Sequence, residues 1–480
     1  MGFGSDSNPY NQYNHPFITR IDKTLNVLIK KTSFIIFLAI LVVFQGCTTS
    51  KLASSKYTLS DGSTIAKYLK TIQYSNDGTH LFGHESTIMM GVSGDSDWEI
   101  KNRKEIGNDI FAQESDVKEM TGKLPAIMGY DAFKLILDVT DIPNRKEEVE
   151  ASIAGLKLYR DNGGLIALGW HMQPIFLPSY KERAYRMDEF NNNPYIGLMK
   201  KEQPFYHIAN GFATKDKWWM EYENKRLKPI AERLKQISAD GSGIIFRPFH
   251  EADGAWFWWG LKYLQGDLPL NGKAALMKVF IETARYLKHE LPGLLIAFST
   301  DKLDYVSHEN AKNDEEIARR YRDEFKTFLP KDSADLALID IYGMDLYTSK
   351  DNPAESLERC RIKLEGLSLL AKQDDKIAAI TEAGDRGMPS EEDGRQPTIN
   401  WFNDYLFSWI ADKNIHIAYV VIWQNWSNNR DKTAIDPDDG YFVQVYKNSP
   451  AGKDFIKYAD RKQTIMLRQF RSDLTRFKNN

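Results

Sequence analysis

Short apolar segments recur along the chain, and longer stretches with helical periodicity separate them. Apolar runs of this length are typical of parallel strands that are buried on both faces. Eight such segments are predicted strands: residues 79–83, 125–129, 165–169, 244–246, 294–298, 336–341, 377–380 and 417–422. Helical periodicity, for example from Leu357 to Leu370, predicts crossover helices between these strands.

Eight alternating strands and helices, with no linker between them, predict the α/β class and a (β/α)8 TIM barrel in a single domain. An open, doubly wound sheet is the alternative. No glycine-rich phosphate loop follows the first predicted strand, which favours the barrel. In such a barrel, functional side chains are expected just beyond the C-terminal ends of the strands.

The N-terminal segment predicts export and attachment to a membrane. Lys30 and Lys31 precede an apolar run at residues 34–44, and Cys47 follows it closely. A basic flank, a short apolar segment and a small residue before Cys form a secretory signal. Its end resembles a bacterial lipoprotein signal, which implies lipidation of Cys47. An uncleaved anchor helix is the alternative, although the run is short for a membrane span.

These signals divide the chain into four parts. Residues 1–47 are the predicted leader and lipoprotein signal peptide, and 48–60 are a tether. Residues 61–460 form the barrel domain, and 461–480 form a basic C-terminal tail. The expected location is therefore the exported side of a bacterial membrane, in the periplasm or at the cell surface.

Charge and cysteine content exclude some classes of protein. The 63 Lys and Arg residues against 66 Asp and Glu give a net charge of -3, so no nucleic-acid partner is predicted. The two cysteines, Cys47 and Cys360, exclude a disulfide framework. The domain is expected to be a monomer.

Polar and aromatic residues cluster after the predicted strands, where a barrel would place a functional site. The richest cluster is Arg-Pro-Phe-His-Glu at 247–251, followed by an aromatic run at 254–260. A Glu that leaves a buried strand beside Trp rings suits a general acid acting on a sugar, because Trp stacks on the apolar faces of pyranoses. A satisfied strand-end Glu beside a local aromatic core is the alternative.

Glu251 follows the fourth predicted strand and Glu382 follows the seventh, so both carboxyl groups are expected at the barrel mouth. Glycoside hydrolysis needs two such groups, one on each side of the anomeric carbon. A separation of about 5–5.5 Å indicates a retaining mechanism, whereas about 6.5–9.5 Å indicates inversion. Ile88 and Gly254 stand where a zinc protease motif would need its second His. No metal and no cofactor are therefore predicted.

With these motifs the chain resembles glycoside hydrolase family 26, best known for β-mannanases. The resemblance spans residues 75–460. It rests on the 247–251 motif, the aromatic run, Thr-Glu-Ala-Gly at 381–384 and Asp-Leu-Tyr at 345–347. It implies that Glu251 is the acid/base and Glu382 the nucleophile of a retaining reaction. The substrate-binding residues expected are His171, Arg247, His250, Trp256, Asp345, Tyr347, Trp423 and Gln424.

The expected activity is endo-1,4-β-mannanase action on a β-linked polysaccharide or oligosaccharide. Many family mannanases carry Arg after the Trp of the last strand, and Gln424 stands there in this chain. Action on β-1,3-xylan or mixed-linkage β-glucan is therefore an alternative. A lipoprotein that binds glycans without cleaving them is an alternative of another class.

Overall fold

The computed structural model describes much of the chain from residue 64 onward. The described residues are 64–91, 98–99, 109–136, 145–176, 203–254, 256–261, 272–301, 303, 305–348, 353–385, 400–423, 425, 445–446 and 451–479. The predicted signal peptide with Cys47, the predicted tether and Gln424 lie outside these ranges.

Eight parallel strands pair in chain order, and the last pairs with the first. The strands are β1 (His80–Glu85), β2 (Ile127–Asp131), β3 (Leu165–Trp170), β4 (Ile244–Pro248), β5 (Leu295–Thr300), β6 (Ile341–Thr348), β7 (Ile377–Asp385) and β8 (Tyr419–Ile422). Leu81 lies opposite Tyr419 and Gly83 opposite Val421, which closes the sheet. The predicted (β/α)8 barrel is confirmed, and an open doubly wound sheet is excluded.

Helices connect successive strands, as crossovers between parallel strands require. The connecting helices are α2 (Asp116–Thr121), α3 (Arg145–Asp161), α4 (Pro204–Gly211), α5 (Lys217–Tyr222), α6 (Lys228–Ile237), α7 (Gly272–Glu290), α8 (Asp314–Lys326), α9 (Ser333–Leu336), α10 (Pro353–Gln373) and α11 (Ser408–Ile410). The helix α1 (Thr64–Gln73) precedes β1, and α12 (Gly452–Ala459) and α13 (Leu467–Asn479) follow β8. Short 3-10 turns occupy Ile110–Ala112 and Ala132–Leu135, and π-helical turns occupy Glu223–Leu227 and Trp401–Phe407. Within the described ranges, no helix combines the length and apolar character needed to cross a bilayer.

The sixth predicted strand, 336–341, is wrong in its position. Asp332 caps α9 by accepting hydrogen bonds from the backbone N–H groups of Ala334 and Asp335. The apolar run that follows is therefore the end of a helical turn, and β6 begins only at Ile341. A short apolar run fits a buried turn as well as a strand, which explains the error.

Side chains alternate between two apolar clusters along each strand, as the period of two requires. Leu81, Ile245, Ile341 and Tyr419 belong to the cluster that fills the barrel. Their neighbours along the strands belong to the larger cluster between the sheet and the helices. The interior is therefore packed, as expected for a barrel of this kind.

The N-terminal end of the barrel is closed by α1 and by the last residues of the chain. Thr464–Ile465 forms a short strand parallel to β1. In α13, Phe470 is fully buried, and its ring centroid lies 5.6 Å from that of Tyr68 in α1. The predicted basic tail at 461–480 therefore includes a helix, α13, that packs on the barrel through Phe470, Leu474 and Phe477. The described residues from 64 onward belong to one compact unit.

Candidate active site

The barrel mouth holds a cluster of inward-facing charged side chains on β4, β6 and β7. In β4, Ile245 faces the interior, so Arg247 faces it too. In β6 the same alternation from Ile341 turns Asp345 and Tyr347 inward. These side chains are buried, with at most 6% of each residue exposed.

An irregularity in β7 brings two consecutive residues into the barrel. Met344 of β6 pairs with Ile380, but Asp345 pairs with Glu382, so Thr381 is an extra residue. The pairing with β8 skips residues of β7 at the same place. A bulge of this kind re-aims side chains. Thr381 donates a hydrogen bond to Asp345 Oδ1 at 2.6 Å, while Glu382 bonds Arg247.

Arg247 links the carboxylates of the cluster. Its Nη1 donates to Asp345 Oδ2 at 2.7 Å and to Ser299 Oγ at 3.0 Å, and its Nη2 donates to Glu382 Oε1. The other oxygen of Glu382 accepts a hydrogen bond from Tyr347 OH at 2.6 Å. A buried charge needs a partner, and this guanidinium supplies one to both Asp345 and Glu382. Burial raises the pKa of Asp345 to about 7, against the opposing effect of Arg247.

Glu251 lies beside this cluster, directly after β4. One oxygen from each of Glu251, Asp345 and Glu382 lies within 4.8 Å of the other two. Trp256 donates its indole N–H to Glu251 Oε2. The two predicted catalytic carboxyl groups therefore converge, although 131 residues separate them in the sequence (382 minus 251).

Three clustered carboxylates could also hold a cation, and these are the residues that would do so. In this site the positive charge already comes from the Arg247 guanidinium, which bonds two of the three.

A pair of histidines forms a second part of the site. His171 Nδ1 donates to Asp131 Oδ2 at 2.9 Å, and its backbone N–H donates to Asp131 Oδ1 at 3.2 Å. The Nε2 atoms of His171 and His250 lie 3.2 Å apart. Burial, with Arg247 and His171 nearby, lowers the pKa of His250 well below its usual value. His250 is therefore neutral at neutral pH, which suits hydrogen bonding to sugar hydroxyl groups.

Trp423 and Trp256 are half-buried, so part of each residue remains accessible. The Trp423 ring centroid lies 6.5 Å from that of His171. Trp258 and Trp259 are instead buried and donate to backbone carbonyls, of Met172 at 2.6 Å and His250 at 3.0 Å. Only part of the aromatic run can therefore face a ligand.

Two of the polar strand ends serve other purposes. His84 alternates with the inward-facing Gly83 and Glu85 and is buried outside the barrel interior. Asn425 is buried, and its amide donates to Asp116 of α2 at 2.7 Å and to the Val445 carbonyl at 2.6 Å. It therefore ties the chain after β8 to a neighbouring helix.

The site includes two acidic residues whose roles the sequence analysis missed. Asp131 orients His171, as described above. Glu85 on β1 faces the barrel interior, and burial, with Asp131 nearby, raises its pKa to about 8. Both residues stand at strand ends, which was the available signal, but the sequence assigned neither of them a role.

The chain was compared with known protein families and sequences. A model described as glycosyl hydrolase family 26 matches residues 104–432. The mannan endo-1,4-β-mannosidase of Bifidobacterium adolescentis is 25% identical over 371 residues, covering 74% of this chain and 33% of that protein. The enzyme of that name from Bacillus subtilis strain 168 is 27% identical over 241 residues, covering 49% of this chain and 54% of its own. The chain thus spans a third to about half of the length of these curated relatives.

Solved structures share the fold over most of this chain. GH26C from Muricauda sp. MAR_2010_75 has a TM-score of 0.60 and 21% identity, covering 85% of this chain and 93% of its own. A GH26 β-mannanase from Bacteroides ovatus has a TM-score of 0.55 and 19% identity, covering 84% and 95%. At this level of identity, the similarity establishes the barrel architecture.

The buried Glu85 carboxyl predicts a pH-dependent change in stability. The pKa of Glu85 in the folded protein is about 8, above the usual 4.5, so protonation of this carboxyl stabilises the folded state. The stabilisation is complete below about pH 4.5 and is lost as the pH rises to about 8. Glu85→Gln removes the group, so the variant should gain stability relative to wild type between these values, on the order of a few kcal/mol. Urea unfolding at about pH 5 and about pH 9 measures this difference.

Glu150→Gln on the exposed face of α3 is the matched control and should show no such pH-dependent gain. A constant difference between Glu85→Gln and wild type across this pH range would contradict the raised pKa.

Proposed function

Because the chain belongs to glycosyl hydrolase family 26, we propose that it is a retaining endo-1,4-β-mannanase that hydrolyses mannan-type polysaccharide. The observation that carries this proposal is the approach of the Glu251 and Glu382 carboxyl oxygens to within 4.8 Å. Retaining glycosidases hold their two carboxyl groups about 5–5.5 Å apart, whereas inverting enzymes leave room for a water molecule between them. The separation therefore favours a covalent glycosyl-enzyme intermediate.

In this mechanism Glu382 attacks the anomeric carbon. The hydrogen bonds from Arg247 and from Tyr347 OH, at 2.6 Å, favour the ionised carboxylate and fix its direction. Glu251 protonates the departing oxygen, and its carboxylate then activates the water that releases the sugar. The indole N–H of Trp256 donates a hydrogen bond to the Glu251 carboxyl and so keeps it in position for both steps.

The remaining residues are assigned to the sugar. His171, held by Asp131, and the neutral His250 hydrogen-bond its hydroxyl groups. Half-buried Trp423 supplies an apolar face beside His171, which suits stacking on a pyranose ring. Mannan is proposed as the substrate because the relatives named above are mannan endo-1,4-β-mannosidases.

Substrate and mode of action are tested together by incubating the purified chain with β-1,4-mannan, β-1,3-xylan and mixed-linkage β-glucan. Product sizing over time should show a ladder of manno-oligosaccharides from mannan and little release from the other two. Monosaccharide as the sole early product would contradict endo action. Binding without any product from the three glycans would favour the non-catalytic alternative.

The roles of the two carboxylates are tested by substitution. Glu382→Ala should abolish turnover of every glycoside, because no nucleophile remains. Glu251→Ala should lose mannan hydrolysis by about 10²–10⁴-fold, the usual contribution of a general acid. It should still form the glycosyl-enzyme from dinitrophenyl glycosides, whose leaving group needs no proton, and azide should restore their turnover. Steady-state kinetics measures both, and full activity in either variant would refute the assignment.

We also propose that the chain is exported and tethered to a bacterial membrane through a lipid on Cys47. The basic flank, the apolar run at 34–44 and the following cysteine support this. Expression in a bacterium with labelled palmitate should label the wild-type chain in the membrane fraction, whereas Cys47→Ser should carry no label. Cys360→Ser is the control for the label at the other cysteine, and equal labelling of Cys47→Ser would contradict the proposal.

A further inference from the structure

The backbone that carries Glu251 adopts an unfavourable conformation on both sides of His250. Phe249 has φ +52° and Glu251 has φ +51°, in the left-handed region that side chains other than glycine rarely occupy. Two such residues within three positions need surrounding contacts that hold them in place. The position of the Glu251 carboxyl depends on this backbone, because the side chain is attached within it.

Asp253 ties this segment to the end of the next strand. Its Oδ1 accepts a hydrogen bond from the backbone N–H of Asp301 at 2.6 Å, and its Oδ2 accepts one from Leu303 at 2.8 Å. Both donors follow β5, and Leu303 also has a positive φ, +48°. The Asp253 carboxylate therefore joins two strained backbones with one side chain.

The turn places Asp253 where it can act on Glu251. The backbone N–H of Gly254 donates to the Glu251 carbonyl at 2.8 Å, so Glu251 and Asp253 belong to one tight turn. Trp258 connects the same region to the chain after β3, through the Met172 carbonyl. Asp253 supplies the connection on the opposite side, toward β5. Burial raises the pKa of Asp253 while the two N–H donors lower it.

We propose that Asp253 is a positioning residue that holds the Glu251 carboxyl at the leaving oxygen by fixing this turn against the chain after β5. The proposal rests on the proposed role of Glu251 as acid/base. It adds a residue that neither contacts the sugar nor transfers a proton. Substitution of Asp253 should therefore weaken acid/base catalysis by Glu251 and should not simply reduce the amount of folded enzyme.

The test compares leaving groups. Asp253→Ala should lower kcat/KM for mannohexaose by about tenfold or more, because the sugar that departs from this substrate is a poor leaving group and needs a proton. This loss is a part of the rate enhancement that a general acid contributes. For a dinitrophenyl β-mannobioside, kcat/KM should change little, because its departure needs no proton. For this activated substrate kcat and KM should fall together, and azide should raise kcat, because the base step is also impaired. Asp253→Asn keeps one acceptor oxygen and should fall between wild type and Asp253→Ala.

Asp454→Ala is the matched control. Asp454 is a buried carboxylate that, like Asp253, accepts two backbone N–H bonds, here from Phe402 at 2.9 Å and Asn403 at 3.2 Å, but it lies in α12. Its substitution should lower Tm and leave the ratio of kcat/KM for the two substrates unchanged.

If Asp253→Ala and Asp253→Asn lose kcat/KM equally on both substrates, so that the ratio of the two values is unchanged, the positioning role is overturned. If Asp253→Ala fails to fold, the ratio in Asp253→Asn decides. A wild-type chain inactive on all glycans would refute the proposed function and this role together. An active wild type with an unchanged ratio would refute this role alone.

Discussion

The charge balance at the barrel mouth depends on one buried guanidinium. Arg247 donates to Asp345 and Glu382, and Glu251 lies within 4.8 Å of both acids. Carboxylates this close and this far from water repel one another and would take up protons without a cation. Because the guanidinium and Tyr347 OH both bond Glu382, while Glu251 bonds the Trp256 indole, the two proposed catalytic groups have different surroundings. Such a difference separates a nucleophile from an acid.

Periodicity was sufficient to predict the barrel and to place Glu251 and Glu382 at its mouth, whereas Arg247, Asp345 and Tyr347 were implied by the resemblance to the family. Apolar runs buried on two faces predict parallel strands, and the barrel then places strand ends together. The motif 247–251 and Glu382 could thus be paired without coordinates. The error at 336–341 arose because a capped turn leading into a strand has the same apolar composition as a strand.

Other features of the site depend on backbone geometry that a residue pattern does not reveal. The extra residue in β7, Thr381, lets Glu382 turn inward beside it, although strict alternation would place the two on opposite faces. Asp253 accepts hydrogen bonds from two backbone N–H groups, and Asp131 accepts one from the His171 backbone as well as one from its ring, and every residue except proline carries a backbone N–H. A side chain whose partners are generic leaves no recognisable spacing in the sequence.

The buried charges also constrain the small residues around them. A Cβ atom at Gly129 would overlap the Glu85 carboxyl oxygen, and one at Gly343 would overlap the Thr381 side chain. Both glycines alternate inward, one layer above the apolar residues that fill the barrel. Larger side chains there would displace Glu85 and Thr381, and Thr381 donates the hydrogen bond to Asp345. Along the barrel axis, large apolar residues therefore give way to glycine at the level of the charged cluster. Only a residue without a side chain leaves room there for Glu85 and Thr381.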